Sequence, residues 1–311
     1  MLKKCLIVDP MHESLFPMLR EIGWEGVYLP EVSREEIKKN HHQYFGLIVR
    51  SKTKVDRDLL GESPTIKFVA RAGAGLDNLD LAYLSEQGIH VLHAAEGNRD
   101  AVGEHTVGIL LALIRNIVKA DRQVRSMDWK REENRGMEIM GKTVGIIGYG
   151  NMGQAFAKRL SGFGCKVLAY DKYKTHFSDS FCEEADMQRI YNETDILSLH
   201  IPLSAETRKM VTRDYLSRFK KNIVVINTSR GEIVAQEDLP ALLDTGQVSG
   251  AALDVLENEK LKELTSVQQE NVNNLFHRTN VIFTPHIAGW TFESHTKINV
   301  ALMEKIKSLN L

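Results

Sequence analysis

The sequence predicts an α/β protein of two doubly wound parallel-sheet domains, one inserted into the other. Short β-branched runs alternate with helical ones throughout, the order that parallel strands require. Both halves contain a strand followed by Gly-x-Gly, at residues 68–75 and again from Thr143. At 311 residues the chain accommodates two cores of about 150 residues each.

The elements follow in order. In the first half, residues 6–8, 47–49, 68–70 and 89–92 read as strands, separated by helical segments such as 33–40. From Ala101 to about Met127, apolar positions Val102, Ile109, Leu110, Leu113, Ile117 and Val124 recur at helical spacing, a length that suits a helix bridging two domains. The second series has strands at 143–147, 166–170, 196–199, 223–226, 248–253 and 281–283. A last helix, 293–309, is expected to cross back to the first domain, which makes that domain discontinuous. The expected boundaries are 1–95 with 290–311 for one domain and 96–289 for the other.

Gly148-Tyr149-Gly150-Asn151-Met152-Gly153 joins the strand from Thr143 to an amphipathic segment, and Asp171 ends the next strand 18 residues past Gly153. Strand, glycine turn, helix and distant acid together form a dinucleotide fingerprint, the mark of a Rossmann domain. The glycines admit a tight turn and a close pyrophosphate, and the helix that opens at Asn151 and Met152 turns its amides to the phosphates. Asp171 would take both hydroxyls of the adenosine ribose, which favours NAD over NADP because a carboxylate repels a 2′-phosphate. Lys172 and Lys174 beside it soften that preference.

Composition narrows the class further. Hydrophobic residues make up 43% and charged residues 26%, and no apolar run approaches a membrane span. The apolar part of the N-terminus is too short for a secretory signal, so a cytoplasmic location is expected. Forty Lys and Arg balance 41 Asp and Glu, which leaves no overall field to attract nucleic acid. Cys5, Cys165 and Cys182 have no metal-ligand spacing and read as reduced. Residues 136–143 match G-x-x-x-x-G-K-[ST] letter by letter. That reading is refused, because a phosphate loop needs a strand before it and a helix after it, and here a strand follows.

Three late segments end strands with polar side chains, where a doubly wound sheet places its ligands: Asn227-Thr228-Ser229-Arg230-Gly231, Asp254-Val255-Leu256-Glu257-Asn258-Glu259, and Thr284-Pro285-His286-Ile287-Ala288-Gly289. With them the chain resembles the D-isomer-specific 2-hydroxyacid dehydrogenase family over essentially its whole length. The resemblance implies that Arg230 clamps a substrate carboxylate, His286 exchanges the hydroxyl proton and Glu259 supports His286, while hydride passes between substrate C2 and NAD. The chemistry independently favours a two-pronged permanent cation and an imidazole backed by a carboxylate. Lys260 stands where the family usually has proline, so the supporting acid could instead be Glu257. The resemblance also implies cofactor contacts from Asp254, His200, Ile201, Pro202, Thr207, Thr228, Ser229, His286 and Gly289. Plainer roles compete, His200 to Pro202 as a strand end and Thr207 as a cap.

For the substrate, Arg50 and Ser51, with Arg71, Ala72 and Gly73, look like the version of the family that acts on 3-phosphoglycerate and 3-phosphohydroxypyruvate in serine biosynthesis, in a short form with no appended regulatory domain. The first domain would then be a flavodoxin-like substrate domain with Arg50 and Arg71 facing a phosphate. Asn98 matches a position beside the substrate, and Arg131 would reach the neighbouring site across a homodimer. Hydroxypyruvate or glyoxylate reduction is the alternative, and an NAD-responsive corepressor-like scaffold is a third reading. Two departures stand out: residues 260–279 look helical and longer than usual, and Trp290 occupies a place where a small residue is commoner, narrowing a pocket or anchoring the last helix.

Overall fold

A computed structural model describes residues 2–311. The chain separates into two compact units, one running to Arg99 and resuming at Trp290–Leu311, the other Asp100–Gly289.

The first unit contains β1 (Lys3–Ile7), α1 (Leu15–Glu21), β2 (Trp24–Tyr28), α2 (Arg34–Asn40), β3 (Gly46–Val49), α3 (Arg57–Leu60), β4 (Phe68–Arg71), α4 (Leu81–Glu86) and β5 (His90–His93). Its strands are parallel in the order β2-β1-β3-β4-β5, the flavodoxin-like arrangement. Of these, β2 is the strand that sequence reading passed over. It is a half-exposed edge strand with Gly26 at its centre, so neither hydrophobic alternation nor propensity marks it. The start of α2 is legible, because Ser33 and Glu36 form a reciprocal capping box.

The long helix predicted over 101–127 is two helices. First comes α5 (Ala95–Ile114), then α6 (Ile117–Arg125), bent by 60° at a break where Asn116 adopts the left-handed conformation with φ 55°. Asparagine tolerates that region better than most residues. The start of α5 was hidden by Gly97 and Asn98, poor helix formers. Gly97 is there for packing: a Cβ on it would lie 2.5 Å from the Cα of Ile298.

The second unit continues with β6 (Thr143–Ile147), α7 (Asn151–Leu160), β7 (Lys166–Tyr170), β8 (Glu183–Glu184), α8 (Met187–Glu193), β9 (Ile196–Leu199), α9 (Arg213–Leu216), β10 (Ile223–Asn227), α10 (Leu239–Thr245), β11 (Val248–Leu253), α11 (Ser266–Phe276) and β12 (Val281–Phe283). The sheet order is β12-β11-β10-β9-β6-β7-β8, parallel throughout. It is the Rossmann order with one strand added, and its order reverses between β6 and β9. Within 260–279 the helical part is α11, started by a capping box between Thr265 and Gln268. Residues 136–142 are non-helical and run straight into β6, so no helix follows Lys142-Thr143 to bind a triphosphate. Finally α12 (Phe292–Ser308) packs on α1, β4 and β5 of the first unit.

Alternation explains both cores. Cys5 and Ile7 of β1 join α1 and α12 on one face of the first sheet, while Leu6 joins Ile37, Leu59 and Leu84 on the other. In the second sheet, Val144, Ile146 and Ile226 pack with Phe156 and Leu110, and Leu197, Val225 and Leu253 pack with Ile190, Leu242 and Leu275. Each such fully buried aliphatic side chain contributes roughly 1.5–3 kcal/mol. Among the described residues no single helix is long and apolar enough to cross a membrane.

Gly97→Ala tests the α5–α12 contact. In an open helix the change would gain up to about 1 kcal/mol of propensity. Here the steric conflict dominates, so we expect a net loss of about 1–3 kcal/mol in urea unfolding; a stabilised variant would refute the contact.

Candidate active site

Because the strands run parallel, every predicted site residue of the second unit that ends a strand lies along one edge. The fingerprint loop is shaped by exclusion. Gly148 has φ 93°, and a Cβ there would lie 2.4 Å from the carbonyl oxygen of His200; one on Gly153 would lie 2.2 Å from the carbonyl oxygen of Gly148. At Gly150 the surroundings are open, with nothing within 4 Å of where a Cβ would be. Gly150 is also the N-cap of α7 and supplies no side chain to its amides. Bare backbone, open space and unclaimed helix amides fit a dinucleotide pyrophosphate.

Asp171 directly follows β7, where the fingerprint places its acid. One carboxylate oxygen accepts the Tyr149 amide at 2.8 Å; the other accepts the amides of Tyr173 at 2.9 Å and Lys174 at 3.2 Å. The two neighbouring lysines are engaged within the chain: Lys174 donates to the Tyr149 carbonyl at 2.8 Å, and Lys172 pairs with Glu206 at 2.5 Å. Tyr149 is itself buried, stacked on Phe177 and donating its hydroxyl to Asp179 at 2.9 Å.

At the end of β9, His200 bonds Ser198 at 2.9 Å and packs on Phe156. Burial lowers its pKa from 6.5 to about 3, so it is neutral near pH 7. The Thr207 hydroxyl donates to the Pro202 carbonyl at 2.7 Å and accepts the Ser204 amide at 2.8 Å, which is a turn-stabilising role. At the end of β10, the buried Asn227 accepts the Ser229 amide and donates to the Arg230 carbonyl, folding the turn that presents Arg230. Ser229 donates to the Leu199 carbonyl at 2.6 Å, and Thr228 meets Thr106 of α5 at 3.3 Å. A Cβ on Gly231 would lie 2.0 Å from the Leu256 carbonyl carbon, so this turn presses on the loop that contains Glu257 and Glu259.

His286 is paired. Its Nδ1 lies 3.0 and 2.9 Å from the two Glu259 oxygens, whereas Glu257 pairs with Lys209 at 3.2 Å. The register is therefore Glu259, although Lys260 replaces the usual proline. His286 has φ 57°, a conformation that costs a non-glycine residue about 1–2 kcal/mol. Residue 254 holds it there. The Asp254 carbonyl accepts the His286 amide at 2.7 Å, and its two carboxylate oxygens accept the amides of Ile287 and Ala288, each at 2.9 Å.

The Asp254 side chain is 0% exposed and both its oxygens accept hydrogen bonds inside the protein. Burial pushes its pKa up, but hydrogen bonds from His105, Thr284 and the two amides outweigh burial and leave it below the usual value. Thr284 and His105 were missed in the sequence, where nothing but proximity to His286 singles out the first.

In the first unit, Arg50 and Ser51 follow β3, Arg71 ends β4 and Ala72 and Gly73 follow it, so these too share a C-terminal sheet edge. The Arg50 guanidinium lies 4.3 Å from the ring centre of Trp290, which meets His295 edge-on at 4.8 Å. Trp290 thus supports a cation instead of merely anchoring α12. Arg71 folds over Gly73, where a Cβ would lie 1.8 Å from its Nη1. Asn98 lies in α5, and its buried Oδ1 meets no partner among the described residues. Arg131 is on the exposed connection before β6.

A dinucleotide loop and a carboxylate-backed imidazole on the same sheet edge are the parts that an NAD-linked oxidoreductase would use. The matching family model is the D-isomer specific 2-hydroxyacid dehydrogenase, NAD binding domain, over residues 107–288, more than half of the chain. A D-3-phosphoglycerate dehydrogenase of Methanocaldococcus jannaschii is 34% identical over 98% of this chain and 57% of its own length. A hydroxypyruvate reductase of Thermotoga maritima is 34% identical over 96% of this chain and 95% of its own. The solved D-lactate dehydrogenase of Aquifex aeolicus, complexed with NAD and lactic acid, superposes with a TM-score of 0.82 at 27% identity, covering 99% of this chain and 95% of that one. The chain therefore spans little more than half of the first relative and nearly all of the second. It belongs to the D-isomer-specific 2-hydroxyacid dehydrogenase family.

His200 makes stability depend on pH with a definite sign. Its folded pKa lies below the unfolded value, so the unfolded state binds the extra proton between about pH 6.5 and 3 and stability falls as pH drops through that window. The slope from this group is at most about 1.4 kcal/mol per pH unit. In urea unfolding at pH 6.5, 5.5 and 4.5, His200→Gln should lose less stability than the wild type; equal slopes would contradict the burial of a neutral ring.

Proposed function

We propose that the chain is an NAD-dependent D-2-hydroxyacid dehydrogenase whose substrate is 3-phosphoglycerate or, in reverse, 3-phosphohydroxypyruvate. The observation that carries this reading is the His286–Glu259 pair on the sheet edge that also bears the fingerprint loop. Gly148, Gly150, Asn151, Met152 and Gly153 would hold the pyrophosphate, Asp171 the ribose, and the loops at His200, Thr228 and Ser229 would line the site. Bound NAD supplies the hydride acceptor or, reduced, the hydride donor.

The roles of the side chains follow from their bonding. With Nδ1–H donated to Glu259, Nε2 is the ring position left to exchange a proton with the substrate. During reduction the 2-oxo group accepts hydride at C2 while its oxygen takes the Nε2 proton, leaving a neutral imidazole that solvent reprotonates. Glu259 holds the ring by Nδ1 and so fixes its orientation. Arg230 would bind the carboxylate through two N–H groups and polarise the 2-oxygen. Arg50 and Arg71 would receive the phosphate, with Ser51, Ala72, Gly73 and Asn98 beside the substrate.

Hydroxypyruvate or glyoxylate reduction is the second reading, favoured by Trp290 covering Arg50 and by the full-length match to a hydroxypyruvate reductase. We infer a cytoplasmic homodimer. Support comes from a groove of about 490 Å³ lined by Ile109, Leu113, Val118, Phe276 and Phe283, together with the exposed Met127 and Trp129. Arg131 would then serve the partner's site. Light scattering at micromolar concentration should return twice the 35.2 kDa chain mass.

The deciding assay is NADH oxidation with phosphohydroxypyruvate, hydroxypyruvate, glyoxylate and pyruvate. Phosphohydroxypyruvate should be preferred, and Arg50→Ala with Arg71→Ala should abolish the preference. No turnover of any of the four, with NADH still bound, would favour the corepressor-like scaffold. His286→Gln should lower kcat by about 10²–10⁴-fold, with NADH affinity unchanged by titration.

A further inference from the structure

We propose that His105 is a positioning residue for the reaction, holding the His286 loop in place through Thr284 and Asp254. This rests on His286 being the proton donor. His105 lies in α5 and its Nε2 is 3.0 Å from the Thr284 hydroxyl and 3.5 Å from Asp254 Oδ1. Thr284 in turn lies 2.5 Å from the same Asp254 oxygen.

Donor counting fixes the direction of this chain. The Asp254 carboxylate only accepts, so the single Thr284 hydroxyl proton goes to it. Thr284 then has lone pairs alone to offer His105, and Nε2 must supply the proton. The chain reads His105 Nε2–H to Thr284 O–H to Asp254, which holds the amides of Ile287 and Ala288 and, by its carbonyl, that of His286.

His105 is the ionisable ring that faces Asp254, and Glu259 is the charged group that faces the His286 ring. With the Asp254 side chain 0% exposed and that of His105 19% exposed, water offers little substitute for a lost partner. The adjacent Thr106 meets Thr228 in the turn that presents Arg230. Consecutive residues of α5 therefore brace the two loops that bear the reacting side chains.

The test compares His105→Leu and Thr284→Val with the conservative His105→Gln and Thr284→Ser. The first pair should lower kcat for 2-oxo acid reduction about tenfold, the scale of a modest misplacement of a reacting group, with NADH affinity within twofold. The conservative pair should restore the rate, since Gln offers an N–H donor and Ser a hydroxyl. An unchanged rate in His105→Leu, or an equal loss in His105→Gln, overturns the proposal. Nitrogen NMR of the wild type gives a readout independent of turnover and of the folding of any variant. It should find the Nε2–H form of His105; the Nδ1–H form overturns the inference. Absence of turnover in the wild type with the Nε2–H form present would sink the proposed reaction and leave the linkage standing.

Discussion

Residue 254 holds three successive amides, those of 286, 287 and 288, with one carbonyl and two carboxylate oxygens. This clasp is the constraint on which the placement of the His286–Glu259 pair depends. A histidine after Thr284-Pro285 has no intrinsic reason to adopt φ 57°, and a side chain on a free loop would sample several directions. Three hydrogen bonds to one buried residue over-determine the backbone, so the strain is held and the imidazole has a single address beside Glu259.

The parallel sheets do the rest of the gathering. Fingerprint loop, Asp171, Arg230 turn and His286 loop come from positions 148 to 286, yet all follow the C-terminal ends of strands in one sheet. Close approach then fixes the spacing between neighbours. The Gly231 turn abuts the 256–257 backbone and Gly148 abuts the carbonyl of His200, contacts that leave no room for a side chain.

Much of this was legible in the sequence wherever local chemistry and long-range packing agree. The fingerprint, the alternating strands of both sheets and the capping of α2 each state their structure within a few residues. What escaped was set by distant partners. Gly97 and Asn98 look like a loop and are helical because α12 lies against Gly97; β2 is a strand at an exposed edge with a glycine at its centre; Asn116 breaks a pattern whose apolar period continues through it. In the site, Arg230, Glu259 and His286 are the candidates that type and position after strands single out, and the structure pairs the last two. The inward turn of Asp254, and the service of Thr284 and His105, depend on which atoms meet across 30 to 179 residues of sequence.

Asp171 carries an entanglement of its own. The carboxylate that would discriminate between the two pyridine nucleotides is also the acceptor for the Tyr149 amide in the middle of the fingerprint, and Lys174 clips the carbonyl of that same residue. Replacing the acid to welcome a phosphorylated ribose would undo part of the scaffolding that receives the diphosphate. Any substitution at Asp171 would therefore have to arrive together with a new support for Tyr149, which makes this acid hard to lose by a single evolutionary step.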